Sequence, residues 1–402
     1  MARRRFVLYP LTERQERLVK VARELAARFH ERAADHDRDG SFPFENFEDI
    51  RASGLPALVV PEEYGGWGAS LLETVMVMEA LAMGDGSTAL SLTMHMQTLG
   101  GALESGAWPQ PILDEFCRAA VQRGALINAI ATEPELGSPS RGGRPKTTAR
   151  PIVGADGQPT AWILNGRKNF ASMSPTLDYM VIMAALEDGS GGVGHFVVTP
   201  GPGVEIVETW DALGMRATGS HDVCLTDVRV PHEHFIPPQR KDEMAPKFNA
   251  WFPLTVSAVY VGVAAAALQA AGRFALERVP TGLGRPIAEV ESIQRRLGQA
   301  ELLLHQARVH LYHTAELWAR YPRRRGELGE SIIVAKYTAT NNAVAVVDHC
   351  MRVVGGASMS RRLPLERYYR DVRGGLYHPM NDDLALVTLG RQVLAQLRKT
   401  ES

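Results

Sequence analysis

A short segment near the C-terminus carries the residue types best suited to proton chemistry. It runs from Pro364 to Asp383 and reads PLERYYRDVRGGLYHPMNDD. Its first half has the charge spacing of a helix, and its second half, interrupted by two glycines and a proline, carries one imidazole and two carboxylates. Such groups exchange protons readily, and loops on rigid scaffolds often hold catalytic residues. We therefore predict that His378, Asp382 and Asp383 are candidate catalytic residues.

A predicted turn at residues 131–138 could bind a polar ligand. Its sequence, ATEPELGS, contains a glycine and the hydroxyl groups of Thr132 and Ser138. The backbone N–H groups of such a turn and its two hydroxyls are hydrogen-bond donors. On the pattern alone, an ordinary turn is the simpler interpretation.

Residues 164–172, LNGRKNFAS, form a second candidate binding segment. Asn165-Gly166 is typical of a two-residue hairpin turn. Phe170 and Ser172 are two residues apart, which places them on the same face of a strand. An aromatic ring beside a hydroxyl could cover a planar ligand and bond its heteroatom, although an ordinary strand explains the same pattern.

Other site classes have weaker support. Residues Gly189–Gly194 match the dinucleotide-binding pattern GxGxxG, but a β-type run follows where a helix is required, so we predict a hairpin turn. His310, His313 and Glu316 share one helical face without an identifiable fourth ligand, and no metal site is expected. The chain has no P-loop and no nucleophile-elbow motif, so nothing indicates a hydrolase or phosphotransferase.

Composition limits the partners that this chain would bind. Its 402 residues predict two or three domains, and 44 basic against 45 acidic residues leave a net charge of -1. A chain with almost no net charge has no overall electrostatic attraction for nucleic acid or an anionic membrane. We therefore expect its partners to be small molecules or copies of the chain. Three widely spaced cysteines and a basic start without a signal-peptide apolar region predict a cytoplasmic protein.

The periodicity of apolar residues divides the chain into three parts. Residues 1–124 have mainly helical spacing, residues 125–240 contain short alternating runs typical of an antiparallel β domain, and residues 241–402 have the long helical repeats of a four-helix bundle. Trp251 to Gly272 contains no charged residue and is long enough to cross a bilayer. Its polar residues and many alanines favour a buried bundle helix instead, and the fold class expected is α+β.

Seven motifs in this order look like those of the acyl-CoA dehydrogenase superfamily, and the resemblance covers nearly the whole chain. The motifs are PEEYGG at residues 61–66, TEPELGS at 132–138, LNGRK at 164–168, LGMR at 213–216, DVRVP at 227–231, GG at 355–356 and LERYYRD at 365–371. Any one of them is common. Their joint occurrence in sequence order makes coincidence an unsatisfactory explanation.

The resemblance implies an FAD cofactor between the β domain and the helical bundle, in a homotetramer or homodimer. It implies that the flavin or its phosphate contacts Thr132 and Ser138, and that the ring edge contacts Phe170 and Ser172. Towards the FAD of a neighbouring subunit, it implies contacts from Arg278, Arg352, Gly355 and Gly356. Arg352 stands where the family has a glutamine, which puts the contacts on the adenine side in doubt.

The family's usual catalytic base has no counterpart at its expected position. In most members a glutamate lies nine residues after the arginine of the Arg-Asp pair, and the same count from Arg370 reaches Pro379. A minority of members carry the glutamate on the first bundle helix, and the matching residues 254–260 contain no carboxylate. A proline cannot remove a proton, so the reaction remains open.

Three interpretations follow from this resemblance. The first is dehydrogenation of an acyl thioester in fatty acid metabolism, with Asp382 or Asp383 as base and an electron-transfer flavoprotein as acceptor. The second is a flavin monooxygenase, because His378 resembles a histidine of sulfur- and phenol-oxidising relatives, with His95 facing the same cavity. The third is a non-catalytic FAD-binding protein. We place dehydrogenation first; His378 could equally be an ordinary turn residue, and His95 a core residue.

Overall fold

The N-terminal part of the protein is a group of five helices. The computed structural model describes residues 9–136, 143–238 and 249–400. The helices are α1 (Glu13–Asp39), α2 (Phe44–Ala52), α3 (Leu71–Ala82), α4 (Gly86–Ser105) and α5 (Gln110–Arg123). Helix α1 begins at a capping box in which Thr12 accepts from the Gln15 N–H, and it ends at Gly40, whose φ of 65° suits glycine. All five helices agree with the helical spacing of the sequence.

An eight-stranded sheet follows the helices. Its strands are β1 (Ile127–Ile130), β2 (Thr148–Val153), β3 (Pro159–Ala171), β4 (Tyr179–Leu186), β5 (Val193–Val198), β6 (Val204–Val207), β7 (His221–Pro231) and β8 (Phe235–Ile236). The order is β6-β7-β3-β2-β4-β5-β8, and β1 pairs with β4. Most pairs are antiparallel, as expected, but β1 and β2 both run parallel to β4. The glycine-rich segment 189–194 connects the antiparallel strands β4 and β5, which confirms the predicted hairpin.

The predicted hairpin at Asn165-Gly166 is wrong. Both residues lie inside strand β3, at a shift in the pairing register with β7. Gly166 has a φ of 152°, and a Cβ atom there would lie 2.5 Å from Thr147 Oγ1. Glycine is therefore required here by a bulge and by close packing, and not by a turn. The local sequence does not distinguish a glycine in a bulge from a glycine in a turn.

The C-terminal part returns to helices. They are α6 (Trp251–Glu277), α7 (Glu291–Arg320), α8 (Gly329–Val354), α9 (Leu365–Asp371) and α10 (Asp382–Thr400). In the described part of the chain, α6 is long and apolar enough to cross a membrane, but 83% of its most apolar window is buried inside the protein. It contacts α3, α4, α7 and α8. This burial explains its apolar composition and confirms the predicted bundle helix.

One arginine on α9 joins the three parts of the fold. Arg370 Nη1 donates to Asp37 Oδ1 on α1 at 2.9 Å and to the carbonyl of Leu213 in the loop before β7 at 3.0 Å. Gly214 packs against the same helix, since a Cβ atom there would lie 2.4 Å from the Arg370 carbonyl oxygen. These contacts hold the 213–216 loop against the segment that carries His378.

Candidate active site

The three parts of the fold enclose a cavity of about 740 Å³. This volume lies within the range of about 300 to 1,000 Å³ that is usual for small-molecule sites. The wall contributed by the sheet, here called the β wall, comprises the turn after β1 and the end of β3. The opposite wall, here called the α wall, comprises α6 and the loop after α9. Thr132, Phe170 and Ser172 lie on the β wall and His378 on the α wall.

A buried ion pair supports the β wall. Lys168 Nζ lies 2.7 Å from Glu133 Oε1, and both side chains are buried. Glu133 also accepts from the backbone N–H groups of Lys146, at 2.7 Å, and Thr147, at 3.1 Å. Burial alone would raise the pKa of Glu133, but these donors hold it below its ordinary value. Glu133 is thus the ionised, fully bonded partner of Lys168.

Hydroxyl groups continue this wall beyond β3. Ser172 Oγ lies 2.8 Å from Ser220 Oγ, which in turn lies 2.7 Å from Thr218 Oγ1. Thr218 donates to the Met215 carbonyl at 3.0 Å. Phe170 has a left-handed φ of 54°, and its ring, 58% exposed, is edge-on to that of Trp210. The chain turns sharply here, so Phe170 and Ser172 both reach the cavity without the regular alternation that a strand would give.

The α wall contains a hydrogen-bonded pair, Tyr260 and His378. Tyr260 Oη lies 2.7 Å from His378 Nε2. Burial, followed by the positive charge of Lys336, lowers the pKa of His378 to about 4, and burial also raises the pKa of Tyr260. Both groups are therefore neutral at physiological pH. The sequence did not indicate Tyr260, because its polar group sits in an otherwise apolar helix.

Two glycines bring the loop after α9 close to Tyr260. A Cβ atom at Gly374 would lie 2.8 Å from Tyr260 Oη, and one at Gly375 would lie 2.9 Å from Tyr260 Cδ2. A larger residue at either position would have to displace the phenol ring. The glycine pair that interrupts the helical pattern therefore sets the distance between His378 and α6.

The two candidate aspartates lie outside the cavity lining. Asp382 accepts from Asn341 Nδ2 at 3.0 Å and lies 3.8 Å from Lys336 Nζ, while Asp383 is exposed at the start of α10. Lys336 is buried, and burial lowers its pKa. Among the described lining residues, Glu133 is the one carboxylate, and it is held in the ion pair with Lys168. No described carboxylate is placed to act as a free base in this cavity.

His95 does not face the cavity, which corrects that expectation. It is buried on α4, where Nε2 donates to the Pro56 carbonyl at 2.8 Å and Nδ1 accepts from the Ile127 N–H at 3.1 Å. Burial lowers its pKa to about 4. Both ring nitrogens are occupied by backbone groups, so His95 is a structural residue of the core.

The remaining sequence candidates lie elsewhere. Arg278, Arg352, Gly355 and Gly356 are exposed and do not line this cavity. Their exposure is compatible with contacts to a neighbouring subunit, which stay a prediction. Ser138 falls outside the described residues.

The β wall has the donors and acceptors that a flavin ring requires. Asn128 Nδ2 donates to the Ser172 carbonyl at 2.9 Å, whereas the buried Asn128 Oδ1 has no partner in the described structure. The same is true of Asn169 Oδ1, which also belongs to the cavity lining. A flavin ring presents one N–H donor and several acceptors, so these unpaired oxygens, the nearby hydroxyls and the Phe170 ring match its chemistry.

Comparison with known proteins follows the three parts of the fold. The acyl-CoA dehydrogenase N-terminal domain matches residues 12–107, the middle domain residues 128–228 and the C-terminal domain residues 254–383. The putative acyl-CoA dehydrogenase YdbM of Bacillus subtilis is 40% identical, with 96% of this chain and 98% of YdbM covered. The amino sugar nitrososynthase DnmZ of Streptomyces peucetius is 29% identical over 95% of each chain.

A solved structure agrees over the same length. KijD3 in complex with FMN and a dTDP-linked amino sugar superimposes with a TM-score of 0.80, 29% identity and 96% of each chain covered. The expected architecture of a helical domain, a central sheet domain and a C-terminal helical domain is therefore confirmed. The chain belongs to the acyl-CoA dehydrogenase family, and it is an oxidoreductase of the flavoenzyme kind.

Proposed function

We propose that this protein is a flavin-dependent monooxygenase of acyl-CoA dehydrogenase fold. The observation that carries the proposal is the chemistry of the cavity: its α wall presents the His378–Tyr260 pair, and its one described carboxylate is bound to Lys168. Proton removal from an acyl thioester requires a free base beside the substrate. A neutral imidazole hydrogen-bonded to a phenol is better suited to proton transfer during oxygen chemistry.

The cofactor is FAD or FMN, held on the β wall. Thr132 and Ser172 would bond the ring, the Phe170 side chain would cover it, and Asn128 Oδ1 would accept from its N–H. The FMN found in KijD3 supports this assignment. When bound, a reduced flavin supplies two electrons to molecular oxygen, so that one oxygen atom enters the product and the other leaves as water.

His378 would hold and move the proton. Its pKa of about 4 keeps the ring neutral, with one nitrogen protonated and the other an acceptor. Tyr260 fixes the ring orientation through Nε2. Positioned in this way, His378 can accept a hydrogen bond or a proton from a substrate N–H or O–H group without a carboxylate.

The substrate is a small molecule with an apolar or aromatic body. Beyond the polar groups already described, Leu90, Met94, Ile130 and Phe252 line the cavity. Apolar walls with a few convergent polar groups are typical of sites for such ligands. We therefore place the oxidised heteroatom, nitrogen, sulfur or phenolic oxygen, next to His378.

The exposed residues Arg278, Arg352, Gly355 and Gly356 are proposed to contact the flavin nucleotide of a neighbouring subunit. They are exposed and lie outside the chain's own cavity. A diphosphate favours arginine and backbone N–H donors. This proposal requires a homodimer or homotetramer.

A second candidate is acyl-thioester dehydrogenation with transfer of electrons to an electron-transfer flavoprotein. The 40% identity to YdbM, named a putative acyl-CoA dehydrogenase, favours it. It requires Asp382 or Asp383 to approach the cavity, and Asp382 is held by Asn341. The geometry therefore favours it less.

Rapid mixing of the flavin-loaded protein separates the two reactions. Under anaerobic conditions, we expect a panel of acyl-CoA thioesters to leave the flavin absorbance unchanged. With externally reduced flavin and labelled molecular oxygen, we expect one labelled atom in the product of an aromatic amine, sulfide or phenol.

Two outcomes would contradict the proposal. Anaerobic bleaching by an acyl-CoA would identify a dehydrogenase. Purification without flavin, and no uptake of added FAD or FMN, would indicate a non-catalytic relative. An anaerobic mixture of the externally reduced protein with the same substrates is the control, because it should form no oxygenated product.

A further inference from the structure

A second, smaller cavity lies between α1 and the segment that precedes α9. Its volume is about 240 Å³, and the charged residues of its walls are Arg38, Arg361, Arg362, Arg367, Asp37 and Glu366. The volume is below the range of about 300 to 1,000 Å³ that is usual for drug-sized ligands. The cavity is therefore suited to a small charged group, and its lining determines which charge.

Arg367 is buried at this cavity without an acidic partner. It is 5% exposed, and no described carboxylate forms an ion pair with its guanidinium group. Its nearest described aromatic contact is the Tyr368 ring, whose centroid lies 5.3 Å from Cζ. Asp371 interacts with it electrostatically without an ion-pair contact, and Asp371 Oδ1 accepts from the Met215 N–H at 2.6 Å. A buried guanidinium normally has a paired anion.

The two carboxylates of this cavity are already bound by Arg370. Asp37 receives both Arg370 Nη atoms, at 2.9 and 2.5 Å, and Glu366 accepts from Arg370 Nε at 2.8 Å. One guanidinium group offsets one of these two negative charges. Both carboxylates are hydrogen-bonded to Arg370 rather than to Arg367.

Two further arginines add positive charge at the opening. Arg361 and Arg362 are exposed, and within the described residues neither takes part in an ion pair. His30 also lines the cavity, and burial, followed by the charge of Arg367, lowers its pKa. A neutral His30 supplies a hydrogen-bond donor without further charge. Four guanidinium groups, those of Arg38, Arg361, Arg362 and Arg367, thus line one small space. Arg38 is paired with Asp35 and Asp39, whereas the other three form no ion pair within the described residues.

We propose that this second cavity binds a phosphate group, either free or on a small organic ester. Guanidinium groups match the geometry of phosphate oxygens and bind them with two parallel hydrogen bonds. Arg367 forms the buried end of the site, and Arg361 and Arg362 cover the anion from the solvent side. The site is separate from the flavin cavity and does not depend on the reaction proposed above.

Isothermal titration of the flavin-loaded full chain tests the site. The probes are inorganic phosphate and, separately, glucose 6-phosphate, so that a free anion and an ester are distinguished. Flavin loading removes competition from the cofactor's own phosphates. We expect saturable binding of at least one probe, with one site per chain.

Substitutions locate the site. The double variant Arg361→Gln/Arg362→Gln alters exposed side chains and should weaken binding at least about tenfold, because it removes the charge-assisted hydrogen bonds of two guanidinium groups. Arg367→Gln should abolish binding, and its fold is checked by the melting temperature. Arg323→Gln, an exposed arginine on the segment Pro322–Glu327, is the matched control.

The proposal is overturned if neither probe binds to the wild-type protein. It is equally overturned if the double variant binds both probes as tightly as the wild type, or if Arg323→Gln weakens binding to the same extent. The double variant keeps the test decisive even where Arg367→Gln fails to fold.

Discussion

The β wall and the α wall of the main cavity both contain buried ionisable groups, but they treat them differently. On the β wall, Glu133 accepts from Lys168 and from two backbone N–H groups. On the α wall, His378 is bonded to a neutral phenol. The nearby Lys336, on α8, has no hydrogen-bond partner in the described structure and lies 3.8 Å from Asp382.

This difference indicates different roles for the two walls. The buried Glu133 and Lys168 are hydrogen-bonded to each other, and the donors around Glu133 favour its charged form although burial lowers the pKa of Lys168. His378 has no carboxylate bonded to it, so burial shifts it towards its neutral form, and such shifts concentrate at functional sites. The β wall thus holds the planar cofactor in place, and proton transfer belongs to the α wall.

The largest effect is expected from His378→Ala on the α wall. Loss of a general acid or base typically costs about 10² to 10⁴ in rate. We expect oxygenation to fall by that factor while the flavin remains bound, as measured by product yield and flavin absorbance. An unchanged product yield would show that His378 has no role in the mechanism. It would also contradict the functional difference between the two walls.

On the β wall, Lys168→Met should act on stability. It leaves the buried Glu133 charge unpaired, which typically costs about 3 to 5 kcal/mol. A lower free energy of unfolding in denaturant titration is the expected result. Arg167→Met is the matched control, because Arg167 is about half exposed and its partner Asp222 keeps a hydrogen bond from Thr209, so the loss should be less than about 1 kcal/mol. Equal losses in the two variants would contradict a special role for the buried pair.

A smaller effect is expected from Tyr260→Phe. The change removes only the hydroxyl that orients His378, and one hydrogen bond contributes about 0.5 to 1.5 kcal/mol, so the rate should fall by up to about tenfold. Steady-state kinetics measure this loss. Tyr64→Phe, which removes a hydroxyl bonded to Asp114, should leave the rate unchanged. If Tyr260→Phe in the His378→Ala background causes a further full loss, the two residues do not act as a pair.

The smallest effect concerns pH. Burial raises the pKa of Asp371, next to the α wall, from 3.8 to about 7. The native carboxyl therefore retains a proton that the unfolded chain releases, so this stabilisation is greatest below 3.8 and is lost as pH rises through 7. Asp371→Asn should show a shallower decline in melting temperature between about pH 4 and 7. Parallel declines in both proteins would refute this.

The pH experiment must be separated from the response of His378. Burial lowers the pKa of His378 from 6.5 to about 4, so its contribution to stability is present above 6.5 and is lost as pH falls towards 4. The two groups therefore act in opposite directions. Comparing wild type with Asp371→Asn at each pH cancels the histidine, which both proteins share.

The sequence predicted elements better than it predicted contacts. Long repeats of apolar residues located α1, α6, α7 and α8, because a buried helical face requires that spacing. The strands β2, β6 and β8 are short, and few residues alternate in each, so the sequence gives only a weak signal for them. Gly166 was assigned to a turn because a bulge and a hairpin both select glycine.

Only part of the site could be predicted from the sequence, for a related reason. Thr132, Phe170, Ser172 and His378 were recognised from motifs, and all four line the cavity. Tyr260 was missed because its partner, His378, lies 118 residues away along the chain. Pairings of this kind depend on how helices pack, which no local pattern records.

The contacts of Arg370 also determine how late in its synthesis the protein can complete its tertiary fold. The arginine is separated from Asp37 by 333 residues and from Leu213 by 157. On the ribosome, α1 and the loop at Leu213 therefore emerge long before the residue that joins them. The helices and sheet can form earlier, but the cavity closes only after nearly the entire chain has left the exit tunnel. A polypeptide released early, before Arg370, would retain both acceptors without their shared donor.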